Sequence, residues 1–147
     1  MIPERAAGEV SLTRRVTFSA AHRYRRPDWD DARNEAVFGE CARLDHHWHD
    51  YTCDVTVSGP VDRQTGMILD LREFDRVLRT EVAEPFDRRT LNAVVPEFAD
   101  GMEIPTGENL ARLIAERVQR ALGHAPRVSA VTVAEDRTLS ATWRAAP

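Results

Sequence analysis

The chain has 147 residues, 42% of them apolar and 30% charged, with a net charge of −4. That is enough chain for one domain with its own core, and too apolar for a disordered segment. No Arg-rich run persists beyond a few residues, no apolar run nears the roughly 20 residues of a membrane span, and Met1 to Val10 lack the apolar centre of a secretory signal, so the expectation is one cytoplasmic domain over 1–147 with neither a nucleic-acid nor a membrane partner.

From Glu9 to Ala21 apolar residues alternate, with Val10, Leu12, Val16, Phe18 and Ala20 on one parity, which predicts a strand interrupted only by Arg14. Residues 25 to 45 are polar and read as a long loop or short helix, a length often kept for function. Tyr51, Cys53, Val55 and Val57 predict a second alternating strand, followed by a turn at Asp62 to Gly66. Asp70, with Glu73 three residues on, resembles a capping box, and Leu71, Phe74, Leu78 and Val82 follow on one helical face until Pro85. A second helix begins near Thr106, carries Leu110, Leu113, Ile114, Val118, Ala121 and Leu122, and stops at Gly123. Two strands close the chain: Val131 and Val133 share parity with Glu135, and Leu139 shares it with Ala141 and Trp143. The pattern predicts an α+β domain, a four-stranded antiparallel sheet with two helices on one face. Its two open edges favour closure by oligomerisation.

Four of the five histidines fall between positions 22 and 49. On a strand His47 and His49 point to the same face, at a spacing that suits one small tetrahedral ion. His22 shares parity with Phe18 and Ala20 and reaches the same pocket if the two strands are neighbours. Three imidazoles and an open position are the pattern of a catalytic rather than a structural zinc site. A lone His-x-His also arises on polar surface strands. His46 adds a pairing with His49 that would need helical spacing. Cys41 reads either as a fourth ligand or as a nearby acid/base group, and Cys53 as an inert core thiol.

The motifs are specific enough to resemble a family. Phe18-Ser19-Ala20-Ala21-His22, Phe38-Gly39-Glu40-Cys41 with His47-Trp48-His49 and Tyr51, Thr65 to Leu71, Pro85-Phe86-Asp87 with Leu91-Asn92, Pro105 to Asn109, and Glu135 occur in the order found in 6-pyruvoyltetrahydropterin and 6-carboxytetrahydropterin synthases, the latter of the queuosine pathway. The resemblance implies a tunnelling fold assembled as an oligomeric barrel, a homohexamer built as a dimer of trimers. It implies Zn2+ held by His22, His47 and His49. It also implies a dihydropterin substrate bound through Thr106, Glu108 and Glu135, and a catalytic set of Cys41, Asp87 and Glu135, with Cys41 as base and Glu135 anchoring the ring. The implied reaction is triphosphate elimination and side-chain rearrangement on 7,8-dihydroneopterin triphosphate. Side-chain cleavage of the 6-carboxy type and non-catalytic pterin binding are the alternatives.

Three positions depart from the family pattern. Trp48 stands for the usual Gly, His46 for a small residue, and Arg88 for the histidine that follows Asp87 in the proton relay. A guanidinium stays charged and does not shuttle protons. A Cys41 thiolate would then depend on the metal or on the Arg88 charge.

Overall fold

The computed structural model describes residues 8–43 and 47–147. Strand β1 (Val10–His22) pairs antiparallel with β2 (His47–Gly59) along its whole length, from Val10 opposite Gly59 to His22 opposite His47. Between them lie α1 (Asp31–Phe38) and a 3-10 turn, Gly39–Ala42. After β2 come α2 (Leu71–Leu78), a π turn (Arg79–Ala83) and the short α3 (Glu84–Phe86). They are followed by β3 (Arg89–Thr90), α4 (Leu91–Val94), α5 (Gly107–Leu122), β4 (Arg127–Ala134) and β5 (Ser140–Arg144).

The sheet order is β3-β1-β2-β4-β5. This corrects the expected four-stranded antiparallel sheet: β3 is a fifth strand, two residues long, running parallel to β1 at Ala20 and Ala21. It escapes a periodicity reading because two residues carry no period. The helices likewise exceed the expected two, since α1, α3 and α4 are short and weakly patterned.

The alternation in β1 and β2 has its physical cause in one face of the sheet. Phe18, Ala20, Tyr51, Cys53, Val55 and Val57 are all at most 3% exposed and meet Phe74, Val77, Val82 and Phe86 from the helical side. The Phe18 ring stacks on Tyr51 at 4.9 Å and meets Phe86 edge-on at 5.4 Å. The opposite face is polar, with hydroxyl pairs such as Thr13–Thr56 and Thr132–Thr142 across the strands. Arg14, which broke the apolar parity in the sequence, reaches α2 and donates two hydrogen bonds to the Asp75 carboxylate.

The helical run that begins with α2 continues past Leu78 for a reason. Phe74, Leu78, Val82 and Phe86 are spaced by four, and an α-helix drifts about 40° per such step. The wider π turn takes up that drift and returns Val82 and Phe86 to the core, both fully buried. Asp70 is the N-cap, its carboxylate accepting from the Arg72 amide, whereas Glu73 binds Arg76 instead of closing the box. Thr106 caps α5 by accepting from the Asn109 amide, and Gly123 takes the positive φ of 82° that ends it. Ala121, expected on the apolar face, is exposed, and Ala111 and Ala115 are buried in its stead. In β4 both Val128 and Val131 are buried because the register with β2 shifts between Thr56 and Val57.

Candidate metal centre and adjoining cavity

The β1–β2 pairing carries the site. His22 ends β1 fully buried, and the register sets His47 opposite it and His49 opposite Ala20. The His22 and His49 rings lie 4.9 Å apart. Glu135 follows the last residue of β4, at the hairpin into β5, where its amide donates to the Leu139 carbonyl. Its carboxylate returns to the histidines, Oε2 standing 3.9 Å from His49 Nε2. Among the described residues, His22, His49 and Glu135 form a group whose ligand atoms all lie within 4.8 Å of one another.

This donor set suits a metal ion. Two ligands on a tetrahedral zinc at about 2.1 Å stand roughly 3.4 Å apart, so modest side-chain shifts bring the group to one ion. His22 Nδ1 is 2.8 Å from the Tyr51 hydroxyl, a contact that fixes the imidazole's orientation in the way outer hydrogen bonds steer metal ligands. The side chain of His47 and all of His46 lie outside the described residues. Trp48, on the alternate parity, is 54% exposed and borders an open hollow that also touches His49 and Glu135.

On the other side of Glu135 is a cavity of about 150 Å3 lined by Tyr24, Thr106, Gly107, Glu108, Glu135 and Ala141, among others. Three residues expected to bind substrate, Thr106, Glu108 and Glu135, thus meet around one space. Glu135 belongs both to it and to the histidine group. Gly107 leaves the room: a Cβ there would stand 3.3 Å from the Ala141 side chain.

Cys41 sits in the 3-10 turn, half-buried, and its carbonyl accepts from the Tyr24 amide at 2.8 Å. Burial first, then the charges of Glu135 and Glu40, push its thiol above the ordinary range. The sequence reading made a Cys41 thiolate depend on the metal or on the Arg88 charge, and within one chain the fold sets Arg88 at a sheet edge. Arg88 lies on the outer edge of β1, where its amide donates to the Ser19 carbonyl, its φ is 59° and its side chain is 90% exposed. Asp87 is held at the same edge, accepting from the Ser19 amide at 2.9 Å. Among the described residues, the charges that raise the Cys41 thiol are those of Glu135 and Glu40. Cys53 is fully buried, with its thiol pushed up to about 12, which fits an inert core residue, and neither cysteine is in a disulfide.

Two tyrosines complete the site. Burial and the Glu135 charge raise the phenols of both Tyr24 and Tyr51, so each remains a hydrogen-bond donor at neutral pH. Tyr24 donates to Glu135 Oε1 at 3.1 Å and stacks on His22 at 4.5 Å. Sequence reasoning gave Tyr24 no role; its only signal was an aromatic two residues beyond a candidate ligand.

Comparison with known proteins agrees with this geometry. The family model described as 6-pyruvoyl tetrahydropterin synthase matches residues 11–146. A Drosophila melanogaster protein described as 6-pyruvoyl tetrahydrobiopterin synthase is 42% identical over 108 residues, covering 74% of this chain and 63% of the fly protein, so the chain spans under two thirds of that relative. The Homo sapiens protein of the same description is 34% identical over 114 residues, covering 78% of this chain and 77% of the human one. The solved Caenorhabditis elegans 6-pyruvoyl tetrahydropterin synthase superposes with a TM-score of 0.86 at 29% identity, over 95% of this chain and 97% of that one.

Proposed function

Because the chain belongs to the 6-pyruvoyl tetrahydropterin synthase family, we propose that it is a zinc-dependent lyase acting on 7,8-dihydroneopterin triphosphate. The observation that carries this reading is that Glu135 joins a His22–His49 pair on one side and a cavity lined by Thr106 and Glu108 on the other. A pterin lying in the cavity presents its guanidine-like edge to the Glu135 carboxylate, which accepts two N–H bonds. Its side chain then extends toward the histidines.

His22, His49 and His47, the last set opposite His22 by the strand register, are the residues that would hold the ion. When bound, zinc supplies Lewis acidity toward the side-chain hydroxyl oxygens, making the adjoining C–H bonds easier to break. Cys41 then acts as the base that takes a proton from side-chain carbon. The electron pair of the C1′–H bond passes into the ring C6=N5 bond, which is reduced to the tetrahydropterin level as the C1′ hydroxyl becomes a carbonyl. Loss of the C2′ proton then expels triphosphate from C3′ with the C–O electron pair, and the resulting C2′ enol tautomerises to the methyl ketone that completes the pyruvoyl group. Tyr51 orients His22, and Val133, Leu139 and Ala141 give the cavity an apolar wall against which the ring would lie.

Asp87 and Arg88 enter through assembly. Among the described residues, β1 is paired on its outer side at Ala20 and Ala21 and β5 ends the far side of the sheet, so both edges are available for copies of the chain to join into a barrel. In a homohexamer, the edge carrying Asp87 and Arg88 would face a neighbour's Cys41. No helix among the described residues is long and apolar enough to cross a membrane, and cytoplasmic residence suits a soluble phosphorylated substrate.

The test is incubation of the zinc-loaded protein with 7,8-dihydroneopterin triphosphate, with products identified by mass. Release of triphosphate with a 6-pyruvoyl product is expected. A 6-carboxy or 6-hydroxymethyl product, or pterin binding without turnover, overturns the proposal.

A further inference from the structure

Tyr24 connects several parts of the site. Its amide is bonded to the Cys41 carbonyl, its ring stacks on His22 with an interplanar angle of 21°, and its edge meets Phe38 of α1 at 6.0 Å. Its hydroxyl donates to Glu135 Oε1, and its ring lines the cavity that Thr106 and Glu108 also line. Glu135 stands at a branch point: Oε1 is engaged by Tyr24, while Oε2 lies 3.9 Å from His49 Nε2. Turned one way, the carboxylate serves the cavity; turned the other, it becomes a further ligand beside His22 and His49.

We infer that Tyr24 is a positioning residue whose hydroxyl holds Glu135 toward the cavity, so that the carboxylate receives the ligand's ring N–H groups instead of joining the histidines. The inference rests on the reading of Glu135 as ring anchor. The hydrogen bond does not compete with the ligand, because a carboxylate has about four lone-pair sites and a single phenol takes one. It fixes the carboxylate's rotamer beforehand, a cost the ligand would otherwise meet on binding. The ring of Tyr24 stays in place when only its hydroxyl is removed, since the stack on His22 and the contact with Phe38 involve carbon atoms.

The experiment uses the full chain, metal-free and zinc-loaded, with 7,8-dihydroneopterin as probe and fluorescence titration as readout. Tyr24→Phe, Glu135→Ala and the double variant complete a thermodynamic cycle, and melting curves establish that each is folded. Tyr24→Phe is expected to weaken probe binding by roughly three- to tenfold, the size of the cost of ordering one side chain on binding. Its effect should vanish in the Glu135→Ala background, because a residue acting through Glu135 has nothing left to position. In the cobalt-substituted protein, Tyr24→Phe should also alter the visible d–d bands as Glu135 swings toward the histidines, and Glu135→Ala should abolish that change. Two results overturn the inference while leaving the anchor reading intact. One is Tyr24→Phe within twofold of wild type while Glu135→Ala weakens binding. The other is an equal loss from Tyr24→Phe with and without Glu135. Unchanged affinity in Glu135→Ala sinks the anchor reading and the inference with it.

Discussion

Removing the Tyr51 hydroxyl tests whether the buried end of β1 is a metal centre. Tyr51 is 1% exposed, and its hydroxyl lies 2.8 Å from His22 Nδ1, the ring nitrogen that orients the imidazole. Tyr51→Phe leaves the phenyl ring and its 4.9 Å stack on Phe18 in place, so the core keeps its packing. Two effects of different size follow. The metal-free fold loses one buried hydrogen bond, worth about 1 kcal/mol net in a urea titration. Zinc affinity falls further, by roughly 10- to 100-fold, because the ligand loses the contact that fixes its tautomer and direction. Competition with a chromogenic chelator measures the second effect independently of turnover. Unchanged zinc affinity beside the expected small loss of stability would show that Tyr51 only fills the core, and the assignment of His22 as a ligand would lose its structural support.

Other consequences are direct. His49→Ala should lower zinc to well under one per chain by elemental analysis, and full occupancy overturns the ligand assignment. In the metal-free single chain, iodoacetamide should modify one thiol, Cys41, at a rate still rising above pH 9, because burial, Glu135 and Glu40 keep its thiolate scarce at neutral pH. Glu40→Gln should shift that profile toward lower pH, while a rate plateau below pH 8 in the wild type refutes the electrostatic account. Phe86→Ala should cost about 3–5 kcal/mol by urea unfolding, since Phe86 is fully buried against Phe18; a cost below 1 kcal/mol would mean that the π turn does not deliver it to the core.

The long periodic elements were legible because a single face of each is buried. The parity of Tyr51, Cys53, Val55 and Val57 corresponds to four side chains at most 1% exposed, and α5 begins and ends where Thr106 and Gly123 place its caps. What escaped has local causes. Nothing in the spacing of Arg89 and Thr90 marks a strand; they become one because Ala20 and Ala21 offer an unpaired edge beside the end of α3. Asn92 extends that pairing with its side chain, accepting from the Arg23 amide and donating to the Arg23 carbonyl, both at 2.8 Å. In α1, before Cys41, Asn34 is fully buried, its amide group donating to the carbonyls of Arg26, Trp29 and Asp30 while its oxygen accepts from the Arg26 amide. A polar side chain that substitutes for backbone pairing leaves no hydrophobic period, so the pattern left residues 25 to 45 open between a long loop and a short helix, and the fold has the helix α1 there.

At the site, the fold brings some of the expected residues together and sets others apart. Parity brought His22 and His49 to one face, and the family order brought Thr106, Glu108 and Glu135 to one cavity. Asp87 and Arg88 read as partners of Cys41, yet the fold fastens both to the Ser19 backbone at the outer edge of β1. A fully charged guanidinium displayed at an open sheet edge suits a contact between copies better than one within the chain. Among the described residues, the charges that push the Cys41 thiol up are the carboxylates of Glu135 and Glu40, and these oppose a thiolate. An Arg88 brought in by a neighbour would supply the missing positive charge and lower the thiol's pKa upon assembly. On that reading the exchange of histidine for arginine changes how the base is prepared: the charge stabilises a thiolate already formed, and the proton leaves by another route than position 88.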